Sequence, residues 1–301
     1  MSGLTEARPS YKGRFAPSPT GPLHMGSLFC ALGSYLDARA HRGVWLLRIE
    51  DIDPPREQRG AATAIRQCLL NHGLQWDEEP HYQSRRSAFY DAALSQLLKA
   101  GYGYLCNCSR KRLQTLNGCY DGHCRDRPPS QHVDCAVRFK SETVLASYVE
   151  LLQTQLADAD ALSGDFVIRR RDGLYGYQLA VSVDDACQQM TRVVRGCDLL
   201  ETTAQQVQIM RALGHEPPEY LHLPVITAGD GRKLSKQNKA EPVNIDTPVA
   251  NLRAACKGFG FNPPDHLNTA PQLLNWATER WALQDLKHLN KCAQIPLVAL
   301  V

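Results

Sequence analysis

The stretch from Tyr11 to Ile49 constrains the fold more than any other part of the chain. Residues 11 to 16 read as a short strand running into Pro17-Ser18-Pro19-Thr20-Gly21-Pro22, where two X-Pro steps and a glycine rule out a continuing helix. From Gly26 to His41, Leu28, Leu32, Tyr35 and Leu36 fall on one helical face, and Val44 to Ile49 (VWLLRI) has the length and character of a buried strand. Strand, tight turn, helix and strand make a βαβ unit, which implies parallel strands and a right-handed crossover. The expected fold class is therefore α/β, with a doubly wound parallel sheet.

The rest of the chain is compatible with that core. Helices are expected at Arg56 to His72, Arg85 to Gly101 and Thr203 to Leu213. Strands are expected at Ala136 to Phe139, Phe166 to Arg169 and near His222 to Ile226. The main α/β core should occupy residues 1–240, interrupted by an insertion at about 102–165 that lacks clear periodicity. Residues 241–301 should form a short helical region, with helices around Pro248 to Cys256 and Ala270 to Leu283. Hydrophobic residues make up 43% of the 301 and charged residues 22%, enough apolar material for a real core. The polar N-terminal segment has no apolar signal region, and no run approaches about 18 apolar residues, so a cytoplasmic protein without membrane contact is expected. A formal charge of +3 is too small to establish a nucleic-acid partner. Arg169-Arg170-Arg171 and Arg125 with Arg127 give local positive density, although such runs are usually solvated faces.

Two short strings carry chemistry. A strand that feeds through a Pro/Gly turn into a helix start presents unsatisfied N–H groups and the positive end of the helix dipole, a natural phosphate site. His24 and Ser27 stand at that entrance, where an imidazole can donate to phosphate oxygens, and Gly26 lets a nucleotide approach the backbone. Some 200 residues later, Gly229-Asp230-Gly231 precedes Lys233-Leu234-Ser235-Lys236, whose ammonium groups could neutralise charge gathering at the α-phosphate of a triphosphate. Lys236 is the stronger candidate of the two. Alone, His24 could be a structural turn histidine and KLSK an exposed hairpin tip; together, in this order and spacing, they form a nucleotide-handling pair.

The eleven cysteines are odd in number, and Cys30, Cys68, Cys135, Cys187, Cys197, Cys256 and Cys292 are scattered, which fits reduced core thiols better than a disulfide framework. The others cluster. Cys106-x-Cys108 followed by Cys119-Tyr120-x-x-His123-Cys124 supplies at least three thiols and further candidates for a tetrahedral structural zinc.

RFAPSPTGPLHMGS, LRIEDID at Leu47 to Asp53, LYGYQLAVSVDD at Leu174 to Asp185, VVRGCDLL at Val193 to Leu200 and PPEYLHLPVITAGDGRKLSK resemble the class I catalytic core of glutamyl-tRNA synthetases over about residues 11 to 240. The resemblance implies a Rossmann-like catalytic core and ATP-dependent activation of L-glutamate to an adenylate. It places Arg14, Phe15, Ala16, Pro17 and Ser18 in the amino-acid pocket, Glu50 on the substrate ammonium, and Tyr177 and Arg195 beside them. His24, Gly26, Ser27 and Lys236 would contact ATP, with His24, Lys233 and Lys236 catalytic and magnesium accompanying the nucleotide. Those residue types suit glutamate, since arginines make bidentate contacts with carboxylates and Glu50 offers the opposite charge. Asp53, by contrast, reads as a cap for the helix starting near Pro54.

Two departures narrow the resemblance. About 60 residues follow the lysine string, too few for the anticodon-binding region of a full glutamyl enzyme. CNCSRKRLQTLNGCYDGHCR also resembles the zinc segment of glutamyl-queuosine tRNA(Asp) synthetases, truncated paralogues of that enzyme. That resemblance implies one structural zinc on Cys106, Cys108, Tyr120 and Cys124. A phenol must give up a proton of reference pKa about 10 to serve as a ligand, so Cys119 and His123 stay open as alternatives to Tyr120. The implied reaction is tRNA-independent activation, then transfer to the queuosine base at the first anticodon position of tRNA(Asp), whose anticodon stem-loop the core itself would hold. A monomer is expected. The alternatives are a glutamyl-tRNA synthetase charging a 3′ end and a non-catalytic paralogue that binds tRNA or glutamate.

Overall fold

The computed structural model describes residues 11–116, 120–129, 134–142, 146–153, 164–228, 234, 240–290 and 294–300. In chain order the first part comprises β1 (Lys12–Phe15), α1 (Met25–Ala40), β2 (Val44–Ile49), α2 (Ala61–Asn71), β3 (His81–Tyr82) and α3 (Ser87–Lys99). Then come β4 (Gly103–Cys106), α4 (Arg110–Gln114), α5 (His123–Asp126), β5 (Ala136–Phe139) and β6 (Phe166–Arg169). The second part comprises α6 (Tyr177–Cys187), β7 (Arg192–Gly196), α7 (Leu200–Ala212), β8 (Glu219–Leu223), β9 (Val225–Thr227), α8 (Pro248–Gly258), α9 (Ala270–Glu279) and β10 (Gln294–Pro296).

The expected βαβ unit is present. β1 pairs parallel with β2 from Lys12↔Val44 to Phe15↔Leu47, and β3 extends the sheet beyond β2. On the other side of β1 runs β7, tied by the Thr191 N–H to the Lys12 carbonyl at 2.9 Å, and β8 lies parallel to β7. The chain thus crosses from one half of a parallel sheet to the other between β1 and β7, the topological switch at which doubly wound sheets bind ligands. β4, β5 and β6 form a separate antiparallel sheet, placed in sequence between the two halves.

α1 packs on β1 and β7 and receives α8 and α9 on its outer side. Leu28, Leu32 and Leu36 are fully buried, and Phe29 stacks on Phe259 at 4.1 Å between centroids. At Gly33 a Cβ would lie 2.5 Å from Leu223 Cδ1, so helix and sheet approach closely only because this position carries no side chain. Near the end of α1, Asp37 accepts from Tyr11 Oη and from Trp281 Nε1 (2.9 Å), which pins β1 and the chain after α9 to the same carboxylate.

Some expectations differ in detail. The helix expected from Arg56 begins at Ala61, because Pro54 and Pro55 form a short 3-10 turn and Gly60, at φ 83°, introduces α2. The strand expected at His222 to Ile226 is split at Pro224, which has no N–H to give to a ladder. β7 and α6 were not foreseen. α6 is buried along almost its whole length, including Asp184 and Asp185, so it shows no polar face by which a surface helix is recognised.

Those two aspartates tie the layers together. Asp185 accepts from Arg14 Nε and Nη2 (3.0 and 3.1 Å) on β1 and from Arg48 Nη1 (2.7 Å) on β2. Asp184 accepts from Arg86 Nε (2.6 Å), Gln83 Nε2 (2.8 Å) and Tyr90 Oη (2.9 Å), at and before α3. Burial alone would raise the Asp185 carboxyl; the guanidiniums of Arg14 and Arg48 outweigh it and hold it down to about 2. Replacing Asp185 by alanine strands two buried arginines, so Asp185→Ala should cost about 3 to 5 kcal/mol in urea unfolding at neutral pH. The unfolded carboxyl titrates at about 3.9, above its folded value. The stabilisation is therefore complete above that pH, and the deficit of the variant should shrink as pH falls toward about 2.

Candidate active site and metal centre

A cleft of about 590 Å³ opens at the carboxyl ends of β1, β2, β7 and β8, facing the start of α1. β1 and the turn after it contribute Arg14, Phe15, Ala16, Pro17 and Ser18. Glu50 follows β2, Tyr177 begins α6, Arg195 comes from β7, and His24, Gly26 and Ser27 line the same space from α1. Every described residue expected to contact glutamate or ATP thus meets in one cleft. A smaller cavity of about 100 Å³ adjoins it, sharing Ser18, Thr20, Glu50, Arg56 and Tyr177 and adding Asp53, Glu57, Arg170 and Tyr175.

The two arginines are held differently. Arg14 is neutralised in place by Asp185, whereas among the described residues the Arg195 guanidinium donates only to neutral groups: Nε to His222 Nε2 (3.1 Å), Nη1 to Gln206 Oε1 (2.7 Å) and Nη2 to Thr203 Oγ1 (2.7 Å). A buried cation with neutral partners is a ready partner for a carboxylate. Glu50 is 5% exposed and accepts from Arg48 Nη2 at 3.4 Å. Burial pushes its carboxyl up to about 7 against the opposing pull of Arg48 and Arg14. Its charge therefore responds to a bound cation near neutral pH. Burial likewise raises the Tyr177 phenol, which stays protonated as a donor.

At the start of α1, His24 is the N-cap residue. Its Nδ1 accepts from the Ser27 N–H at 3.2 Å, which leaves the proton of a neutral ring on Nε2, 3.1 Å from Ser27 Oγ. A Cβ on Gly26 would sit 3.2 Å from the His24 ring, so glycine keeps the imidazole and the helix end accessible to a ligand. Leu234 lines the cleft and donates its N–H to the Ile226 carbonyl at 2.9 Å. The flanking Lys233 and Lys236 lie outside the described residues, as does Cys119.

Sequence reasoning missed the residues that hold the cleft in shape. Arg48, Asp184 and Asp185 carried one signal, a pair of acids ending an apolar run, because buried acids must find cations. His222, Thr203 and Gln206 carried none. The expected positive patches are partly paired: Arg125 Nε meets Asp165 at 2.8 Å, and Arg170 meets Asp172 at 2.6 Å and Asp53 at 3.5 Å.

In the insertion, the Sγ atoms of Cys106, Cys108 and Cys124 lie within 4.8 Å of one another, with Cys108 and Cys124 at 3.4 Å. Tyr120, buried among them, places Oη 3.5 Å from Cys106 Sγ and 3.4 Å from Cys108 Sγ and accepts the Cys124 N–H at 2.9 Å. Around a tetrahedral zinc with bonds of about 2.0 to 2.3 Å, donor atoms stand roughly 3.5 to 3.8 Å apart, so this donor set fits such an ion. His123 is exposed and outside the cluster. Arg138 Nε approaches Cys106 Sγ at 3.4 Å with its guanidinium 3.8 Å from the Tyr120 ring centre, and Arg112 Nη1 approaches Cys108 Sγ at 3.7 Å.

Residues 11–251 match the family described as tRNA synthetases class I (E and Q), catalytic domain. The chain is 47% identical to a glutamyl-Q tRNA(Asp) synthetase of Serratia proteamaculans and 43% identical to one of Vibrio cholerae, in each case over 92% of both proteins. Among solved structures it resembles a glutamate tRNA ligase from Elizabethkingia meningosepticum in complex with its amino acid, with a TM-score of 0.73 and 26% identity. That match covers 97% of this chain and 68% of the other. The chain therefore belongs to the class I tRNA synthetases of the glutamate and glutamine type, and among them to the glutamyl-Q tRNA(Asp) synthetases.

Proposed function

We propose that this protein activates L-glutamate with ATP in the absence of tRNA and then transfers the glutamyl group to queuosine at the first anticodon position of tRNA(Asp). The observation that carries the reading is the charge arrangement of one cleft: Arg195 with neutral partners, Glu50 poised near neutrality, and a helix start capped by His24. Arg195 and Arg14 take the substrate carboxylates, and Glu50 takes the ammonium. A carboxylate oxygen attacks the α-phosphate, pyrophosphate leaves, and the His24 Nε2–H, the first N–H groups of α1, Lys233 and Lys236 stabilise the charge that develops. Magnesium accompanies the nucleotide. A hydroxyl of the queuosine ring then attacks the adenylate carbonyl, loses its proton and displaces AMP. Cys106, Cys108, Cys124 and Tyr120 would hold a structural zinc that ties β4 to the segment around α5.

The first test is pyrophosphate exchange into ATP, which should require glutamate and proceed without tRNA; absence of exchange would remove the reading. Glutamate should then be accepted by queuosine-containing tRNA(Asp) and refused by the same tRNA lacking queuosine.

Protonated Glu50 cannot balance an ammonium, so kcat/KM for glutamate should rise with pH through about 7. Glu50→Gln should lose that limb and fall by about 10² or more, the typical effect of removing a charged partner in a buried site. A wild-type profile flat from pH 6 to 8 would contradict the assignment.

The purified chain should carry one zinc, as measured by atomic emission. Cys124→Ser should lose it, Tyr120→Phe should release it to a chelator far sooner than wild type, and His123→Ala should change nothing. Full retention in Tyr120→Phe together with loss in Cys119→Ser would make Cys119 the fourth ligand.

A further inference from the structure

Arg195 owes its direction to a buried pair outside the cleft. Glu150 and His222 are 7% and 0% exposed, and Glu150 Oε2 lies 2.6 Å from His222 Nδ1. Glu150 Oε1 accepts the N–H groups of Leu152 (3.1 Å), Gln153 (2.9 Å) and His222 (3.3 Å), so the carboxylate is fixed from several sides. An arginine can only donate, so His222 Nε2 must receive the Arg195 Nε–H with its lone pair. The imidazole is therefore neutral with its proton on Nδ1, the tautomer that a carboxylate at Nδ1 selects. Of the five N–H bonds of a guanidinium, His222, Thr203 and Gln206 each take one, and two remain for a ligand.

We propose that His222 and Glu150 are positioning residues for substrate carboxylate recognition: Glu150 sets the tautomer of His222, and the imidazole lone pair aims the Arg195 guanidinium into the cleft. Neither residue touches the substrate. The proposal rests on the reading of Arg195 as a glutamate ligand. It predicts an effect confined to glutamate, because the relay's side-chain hydrogen bonds lead to Arg195 at the amino-acid end of the cleft.

The test is glutamate-dependent ATP–pyrophosphate exchange without tRNA, using the full chain. His222→Phe keeps an aromatic ring but has no acceptor. It should raise KM for glutamate about tenfold or more, the worth of one hydrogen bond to a charged group, while KM for ATP and kcat stay within about twofold. His222→Gln should recover most of the glutamate KM, since its Oε1 can accept the Arg195 Nε–H. An unchanged glutamate KM in His222→Phe overturns the proposal, and so does a parallel loss in both KM values and kcat that glutamine does not rescue. Should His222→Phe fail to fold, Glu150→Gln decides, because its amide no longer imposes one tautomer. Glutamate KM should then rise several-fold with ATP KM steady, and no rise overturns the proposal. Absence of exchange in the wild type would instead overturn the activation reading, so the two failures are separable.

Discussion

The site depends on two adjacent carboxylates that no solvent reaches. Asp184 and Asp185 follow each other on α6, and between them they bind arginines from β1, from β2 and from the approach to α3. Buried ion pairs of this kind add little net stability over apolar packing, because desolvation cancels much of the attraction. Their value here is geometric. Arg14 and Glu50 reach the cleft from neighbouring strands, and the Asp185–Arg48 contact sets the spacing between them, since Arg48 bonds both Asp185 and Glu50. The same network explains the unequal acids of the site: Asp185 faces two guanidiniums at close range and stays ionised, while Glu50 has one long contact and titrates near neutrality.

How much of this was legible in the sequence follows from the range of each interaction. The unit β1–α1–β2 was legible because its signals are local: two X-Pro steps, a helical apolar face and a six-residue apolar run. His24 was legible for the same reason, as its capping partner Ser27 is three residues away. Arg14, Glu50, Tyr177 and Arg195 could be named only through resemblance, since nothing near them in the chain marks them as neighbours. Their supports were illegible. Arg14 and Asp185 are 171 positions apart, and Glu150 and His222 are 72 apart. α6 was hidden by its burial, whereas the break at Pro224 is local, since a proline has no N–H to give to a ladder.

The thiol cluster shows how charge is managed outside the sheet. Three thiolates and a phenolate around a divalent ion would leave two negative charges, and Arg138 and Arg112 stand against the sulfurs with two positive ones. The Arg138 guanidinium also covers the Tyr120 ring. Burial and the neighbouring thiols raise the Tyr120 phenol, and the Cys124 N–H on its oxygen opposes them only in part, so the charge of a bound ion would have to draw the proton off. That is the chemistry an unusual oxygen ligand among thiols requires.

The neutral surroundings of Arg195 have a consequence for stability as well as for binding. A carboxylate in place of Thr203 or Gln206 would compensate the guanidinium, relieve the strain of an unanswered charge and make the empty protein sturdier. It would also occupy the position that the substrate is meant to fill. Stability of the empty protein and recognition of a carboxylate therefore pull in opposite directions at these two positions, which this chain fills with a threonine and a glutamine. On the proposed reading the substrate carboxylate supplies that counter-charge, so binding would complete the ion pairing that the fold leaves to be made at Arg195.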